Sequence, residues 1–176
     1  MDGCVLEFDQ RYASYMEVAL AQARLAKEAG EVPVGSIVVW REQIIGRGYN
    51  RREELKTPTA HAEILAIEQA AHTLGSWRLS ECELYVTLEP CIMCVGAILQ
   101  GRIRRLVFGC VDPKAGAVNS LYRLCEDSRL NHRLPVTCGV LGQDCAKLLA
   151  GFFQNLRQKK KQARTAERWP SSVEGA

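Results

Sequence analysis

The chain has 176 residues, enough for one domain with a sizeable core, and its 47% hydrophobic and 24% charged residues are those of a globular protein. No run of about 18 apolar residues is present, which argues against a transmembrane helix, and Met1-Asp2-Gly3-Cys4-Val5-Leu6-Glu7 has neither the basic segment nor the apolar core of a secretory signal. The expected location is therefore the cytoplasm, where thiols stay reduced. The net charge of +3 sits at one end: residues 157–176 carry six basic and two acidic side chains, against 17 and 18 in the remaining 156 residues.

In chain order, apolar residues at spacings of three and four (Tyr12, Met16, Ala19, Leu20, Ala23, Ala26) predict an amphipathic helix from about Asp9 to Ala29, ended by Gly30. Val34–Trp40 reads as a strand and Gln43–Tyr49 as a second. Arg41-Glu42 between them predicts a hairpin without the usual Asn-Gly signal. Arg51–Pro58 is polar and loop-like, and a helix follows from about Ala60 to Leu74. A strand over Glu83–Leu88 leads to Pro90, a residue suited to the first turn of a helix running to about Gln100. Arg104–Cys110 is a strand, Val111–Asn119 a loop, Ser120–Glu126 a short helix and Val136–Leu141 a strand. A last helix covers Gln143 to about Lys161, and after Trp169-Pro170 the Ser, Gly and Glu composition predicts disorder. Strands alternating with helices after an opening hairpin imply an α/β fold, a mixed sheet with helices on both faces.

Of the eight cysteines only Cys91 and Cys94 form a close pair; the others read as small buried hydrophobes, not as a disulfide framework. Thirty residues before Cys91 stands His61-Ala62-Glu63. Two thiolates and one imidazole suit Zn²⁺, and three protein ligands leave a fourth position open for water. His61 and Glu63 fall at the start of one helix, Cys91 and Cys94 at the start of another, so two helix N-termini are expected to meet at one ion. Glu63 then stands beside the metal as a proton carrier. A lone Cys-x-x-Cys, or a lone His-x-Glu, is a weak signal; their joint occurrence, each at a helix start and the cysteines after a strand and a proline, is a strong one.

The order His-x-Glu, then Pro-Cys-x-x-Cys, is the signature of zinc nucleobase deaminases. Within that superfamily the chain resembles the bacterial tRNA-specific adenosine deaminases. The resemblance is carried by Glu31-Val32-Pro33-Val34-Gly35, Pro58-Thr59-Ala60-His61-Ala62-Glu63-Ile64 and Leu84-Tyr85-Val86-Thr87-Leu88-Glu89-Pro90-Cys91-Ile92-Met93-Cys94. It continues in Val107-Phe108-Gly109, Gly116-Ala117, Ser120-Leu121, Asn131-His132-Arg133 and Phe152-Phe153, and spans roughly Tyr15 to Lys161.

That resemblance implies a three-layer α/β/α cytidine-deaminase-like fold with a mixed five-stranded central sheet. The domain is expected over residues 1–161, with a disordered basic-to-polar tail over 162–176, and the resemblance implies a homodimer. It also implies one Zn²⁺ per subunit, held by His61, Cys91 and Cys94. The implied activity is hydrolytic deamination of adenosine to inosine at the wobble position of a tRNA anticodon, typically that of an arginine tRNA. Water on the open zinc position attacks C6, and Glu63 carries the protons. Asn50, Asp112, Asn131 and Phe153 match positions that meet the flipped nucleotide or its neighbours, and Val34 and Ala62 match pocket walls. Plainer readings stand beside these. Asn50 can cap a turn, Asp112 can be the turn residue before Pro113, Asn131 an ordinary loop residue, and periodicity favours Phe153 in the core. Arg51, Arg52, Arg102, Arg104, Arg105 and the basic tail are candidate phosphate contacts. Two rival functions remain: a free-base or nucleoside deaminase for guanine, cytosine or cytidine, and a non-catalytic zinc-bearing RNA-binding subunit. The latter would be expected to lack Glu63.

Overall fold

A computed structural model describes residues 10–168. Five helices and five strands follow in the order α1 (Gln10–Glu28), β1 (Gly35–Trp40), β2 (Gln43–Tyr49), α2 (Arg52–Leu55), α3 (Ala62–Leu74), β3 (Cys82–Leu88), α4 (Ile92–Gln100), β4 (Arg105–Cys110), β5 (Val136–Cys138) and α5 (Gly142–Arg168). The strands form one sheet in the order β2-β1-β3-β4-β5. β2, β1 and β3 are successively antiparallel, whereas β3, β4 and β5 run parallel. The expected α/β/α sandwich with a mixed five-stranded sheet is what the chain forms.

Alternation along the strands sends side chains to opposite faces. Val38, Leu84, Val86, Leu106 and Phe108 face a core that includes Ala66 and Ala70 of α3 and Val95 and Ile98 of α4. Ile37, Val39, Tyr85 and Val107 face a second core with Tyr12, Met16 and Leu20 of α1 and Cys145 of α5. Small residues let α3 approach closely: a Cβ on Gly46 or Gly48 of β2 would run into the backbone carbonyls of Ala66 or Ala62. This close approach sets the height of α3, and with it the position of His61, over the sheet.

The hairpin forms without Asn-Gly because Arg41 and Glu42 both take left-handed backbone (φ 47° and 65°), the conformation a two-residue turn of this hand demands. Several expectations change. The polar stretch after β2 contains the short helix α2. Pro90 lies before the cap of α4, not in its first turn. Ser120–Glu126 forms turns instead of a helix: the Ser120 N–H donates to the Glu89 carboxylate, and those of Leu121 and Leu124 donate to Gly116 O and Ala117 O. β5 stops at Cys138, where Gly139 turns to φ 83° and its N–H donates to Gly109 O. α5 continues to Arg168, beyond the expected end at Lys161; the predicted disorder over 169–176 lies outside the described residues. Cys82, Cys110, Cys125 and Cys145 are free thiols, as their isolated spacing suggested.

Candidate active site

α3 and α4 point their N-termini at one spot beyond the end of the sheet. His61 is the N-cap of α3 and Cys91 the N-cap of α4, both with extended backbone. An N-cap side chain ordinarily accepts a hydrogen bond from the first turn of its helix. Neither does so here. The two side chains instead face each other and Cys94: His61 Nδ1 lies 3.8 Å from Cys91 Sγ and 3.5 Å from Cys94 Sγ, and the sulfurs are 3.7 Å apart. Among the described residues these three form a cluster able to hold a metal ion. A tetrahedral ion with metal–sulfur bonds of about 2.3 Å and a metal–nitrogen bond of about 2.0–2.1 Å, the values for zinc, sets sulfur–sulfur separations of about 3.8 Å and sulfur–nitrogen separations of about 3.5 Å. The triangle fits that ion, with three ligands and one side left open.

The electrostatics favour a charged cluster. The hydrogen bond from the Cys94 thiol lowers Cys91 to about 3, with His61 adding to the effect. The Cys91 thiolate in turn raises His61, and Cys94 is pushed up by the thiolate beside it and by burial. A bound cation reverses that last preference by deprotonating both sulfurs. Glu63, in the first turn of α3, is 4% exposed. Burial pushes its carboxyl above the usual range. Glu63 is thus a buried carboxyl beside the metal cluster and able to carry a proton.

A pocket of about 220 Å³ opens onto this cluster. Val32, Val34, Ala62 and Leu88 supply apolar wall; Asn50, Arg52, His61, Glu63, Cys91 and Asp112 supply polar groups. The volume is below the about 300–1,000 Å³ usual for drug-sized ligands, and suits one flat ring with the rest of a larger molecule outside. The structure therefore brings together His61, Glu63, Cys91, Cys94, Asn50, Ala62, Val34 and Asp112. Asn131 and Phe153 are not among the lining residues. Asn131 accepts a hydrogen bond from Arg102 Nη1 at 2.8 Å in a separate shallow groove with Glu126, Leu130 and Arg133. His132 bonds Ile103 O through Nε2 at 2.9 Å and so ties that loop to the segment just before β4. Phe153 is 40% exposed on α5, packed edge-on against Phe152, and so is not the core residue its periodicity suggested.

Asp112 combines both readings offered for it. Its Oδ1 accepts from Lys114 and Ala115 N–H, forming a side-chain-closed turn, and it still borders the pocket. Of the candidate arginines, Arg51 is paired with Glu54, Arg102 with Asn131 and Arg105 with Glu83, whereas Arg52 lines the pocket. Sequence reasoning missed two buried acids. Glu89 accepts from the N–H of Asp112, Val118, Asn119 and Ser120 and from the Ser120 hydroxyl. It thereby folds loop 111–120 against the site, where Gly116 bridges to Cys91 and has no room for a Cβ beside that carboxylate. Glu31 bonds Asn50 and the N–H of Glu54. The one signal for them in the sequence is an acid at a strand boundary among apolar residues, Glu31-Val32-Pro33 and Leu88-Glu89-Pro90.

A mixed five-stranded sheet between helix layers, with a His/Cys/Cys cluster and a buried glutamate at two adjoining helix N-termini, defines the cytidine-deaminase-like class of fold. The chain belongs to the MafB19-like deaminase family, whose model matches residues 10–157, and within it to the tRNA-specific adenosine deaminases. It is 47% identical over 150 residues to the tRNA-specific adenosine deaminase of Bacillus subtilis, an alignment covering 85% of this chain and 93% of that one. A solved structure from a study of A-to-I editing by tRNA:A34 deaminases superposes with a TM-score of 0.75 at 46% identity, covering 77% of this chain and 99% of that one. The guanine deaminase of Nitrosomonas europaea is more distant, with a TM-score of 0.65 at 25% identity over 80% of this chain and 83% of that one.

Proposed function

We propose that this protein hydrolyses adenosine to inosine at the wobble position of a tRNA anticodon, that of an arginine tRNA in the first instance. It would act as a cytoplasmic homodimer holding one zinc ion per subunit through His61, Cys91 and Cys94. The observation that carries the reading is the pocket itself: a space for one ring, bounded by Asn50 and Val34, ending on a metal-sized triangle with Glu63 buried beside it. Zinc bound there would supply a water whose pKa is lowered to about 7. Glu63 would take one proton from the attacking water and pass it to the ring nitrogen, then take the second from the new C6 hydroxyl and pass it to the departing amine, so that ammonia leaves and inosine remains. Asn50 meets the base edge, Val34 and Ala62 hold the ring against the cluster, and Asp112 borders the entrance. Asn131 and Phe153, outside the pocket, are assigned to neighbouring nucleotides. Arg52 at the pocket and the basic residues of α5 meet phosphates, with residues 1–161 acting as the deaminase domain and 162–176 as an appended basic segment. An adenosine in an anticodon loop is unpaired, so turning it outward costs little.

The structural kinship with a guanine deaminase makes a free-base deaminase the second reading. Incubation with an anticodon stem-loop bearing adenosine at the wobble position and, separately, with guanine, cytosine and cytidine distinguishes the two. Ammonia and inosine from the stem-loop alone are expected; ammonia from free guanine alone would overturn the proposal. Metal analysis should return one zinc per chain, and light scattering a dimer. Stem-loops of other sequence with the same adenosine test the preference for arginine tRNA.

A further inference from the structure

We propose that Glu31 is a positioning residue for the reaction: it fixes the side-chain amide of Asn50 so that the pocket is offered a hydrogen-bond donor and an acceptor side by side. This rests on the reading of Asn50 as the residue that meets the base.

Glu31 lies between α1 and β1 and is 2% exposed. Its two oxygens serve different partners. Oε2 accepts from Asn50 Nδ2 at 3.1 Å, and Oε1 accepts from the Glu54 N–H at 2.9 Å. The flipped amide would set Asn50 Oδ1 against Oε2, acceptor against acceptor, so the carboxylate selects one of the two faces of the amide. The backbone under Asn50 is held as well: its N–H donates to Val34 O at 3.0 Å, and the next N–H, that of Arg51, donates to Ala60 O at 3.0 Å. With the main chain and Nδ2 both pinned, the second Nδ2 hydrogen and Oδ1 are what remain for the pocket that Asn50 lines.

A donor beside an acceptor is the pair by which an asparagine reads adenine, whose N7 accepts and whose exocyclic amine donates; guanine presents two acceptors on the same edge. The orientation imposed by Glu31 is therefore the orientation that matches adenine. The same carboxylate anchors α2, which lies in the arch between Asn50 and His61, so the base contact and the histidine end of the metal cluster share one support.

A double-mutant cycle tests this. Glu31→Gln keeps the shape but replaces one acceptor by a donor, so it cannot serve both Asn50 and Glu54. On the substrate the wild-type protein turns over, Glu31→Gln should lower kcat/KM about tenfold with metal content unchanged. In an Asn50→Ala background the same change should cost less than about twofold, because the group it orients is gone. Equal losses in both backgrounds would overturn the proposal and leave Glu31 as a support of the fold. Ammonia release by the wild-type protein is measured first. If only free guanine is consumed, the reading of the substrate fails, and the cycle, run on guanine, still decides the role of Glu31. NMR of the wild-type protein gives a second measurement that needs no variant to fold: one of the two Asn50 Nδ2 protons should exchange slowly. Exchange of both at the rate of exposed amides would also overturn the proposal.

Discussion

The two halves of the site are built differently. The half with His61, Glu63, Cys91 and Cys94 stands on the first residues of two helices that are packed against the sheet through one continuous core. The half with Asn50 and Asp112 stands on loops, and each loop is fastened by a buried carboxylate, Glu31 or Glu89. Helix starts fix direction through backbone geometry, so a side chain there needs no outside support to keep its place. Loop backbone has no such periodic partners and needs acceptors for its N–H groups. The chemistry thus sits on the regular elements, and recognition sits on segments held by charge-assisted hydrogen bonds, each of which can be weakened separately.

The largest effect is expected in the helix-borne half. Glu63→Ala should lower kcat by about 10²–10⁴-fold while metal content stays at the wild-type level. Metal analysis beside single-turnover deamination checks this; a metal-replete Glu63→Ala protein with near-normal turnover would remove Glu63 from the role of proton carrier. Because the helices hold the cluster, thermal stability should change little.

Glu89→Gln should reverse that pattern. Burial opposes ionisation of Glu89, but the Ser120 hydroxyl and the N–H groups of Asn119, Asp112 and Ser120 outweigh it and hold the carboxyl below its ordinary value of 4.5. Glutamine can accept with one oxygen only, so the variant should lose about 2–4 kcal/mol of stability, read by denaturant titration. A lowered native value means the stabilisation is fully present above 4.5 and drains as the pH falls below it. The wild-type protein should therefore lose stability relative to Glu89→Gln in that acid range, and parallel acid curves would detach loop 111–120 from this carboxylate.

The same division governs what can be read from the chain alone. His61, Glu63, Cys91 and Cys94 are legible because helix starts and metal chemistry both constrain spacing within a few residues. The sheet is legible from alternation, and α1 from spacings of three and four. The clamps are not, because Glu31 meets Asn50 across 19 residues and Glu89 meets Ser120 across 31, separations at which no local pattern survives. The turns over Ser120–Glu126 read as a helix for a related reason: the Ser120 N–H answers to Glu89 and those of Leu121 and Leu124 to Gly116 O and Ala117 O, partners outside the segment. Phe153 shows the converse error, since helical periodicity continues along α5 after the sheet has ended and the residue stands 40% exposed.

A smaller effect is expected beyond both halves. Residues 157–161 carry Arg157, Lys159, Lys160 and Lys161 on α5, with Arg164 and Arg168 following. Deleting residues 158–176 should weaken stem-loop binding and reduce the slope of log affinity against log salt by about 0.7–0.9 for each phosphate no longer neutralised. Turnover of a saturating stem-loop should remain. An unchanged salt slope would make this end of the chain a solvated helix, and recognition would then fall to the carboxylate-held loops and Arg52.

The smallest effect is expected in the β1–β2 hairpin, which is remote from both halves and tests whether stability alone moves activity. Arg41 and Glu42 hold left-handed backbone that costs a side-chain-bearing residue about 1–2 kcal/mol. Arg41 recovers part of this through its pair with Glu81 at 3.2 Å and its place over the Trp40 ring. Glu42 contributes its carbonyl, which accepts from the Tyr15 hydroxyl at 3.0 Å, a bond that any residue at this position keeps. Glu42→Gly should therefore raise stability by about 0.5–1 kcal/mol, read by denaturant titration, since glycine takes this conformation without strain and its greater freedom when unfolded offsets only part of the gain. If kcat and kcat/KM stay at wild-type values while stability rises, turnover is independent of the stability of this edge of the fold, in line with the separation of activity from stability expected for Glu63→Ala and Glu89→Gln. If Glu42→Gly instead changes turnover, the hairpin is mechanically connected to Asn50 at the far end of β2, and the boundary between the helix-borne and loop-borne halves must be drawn to include the edge of the sheet.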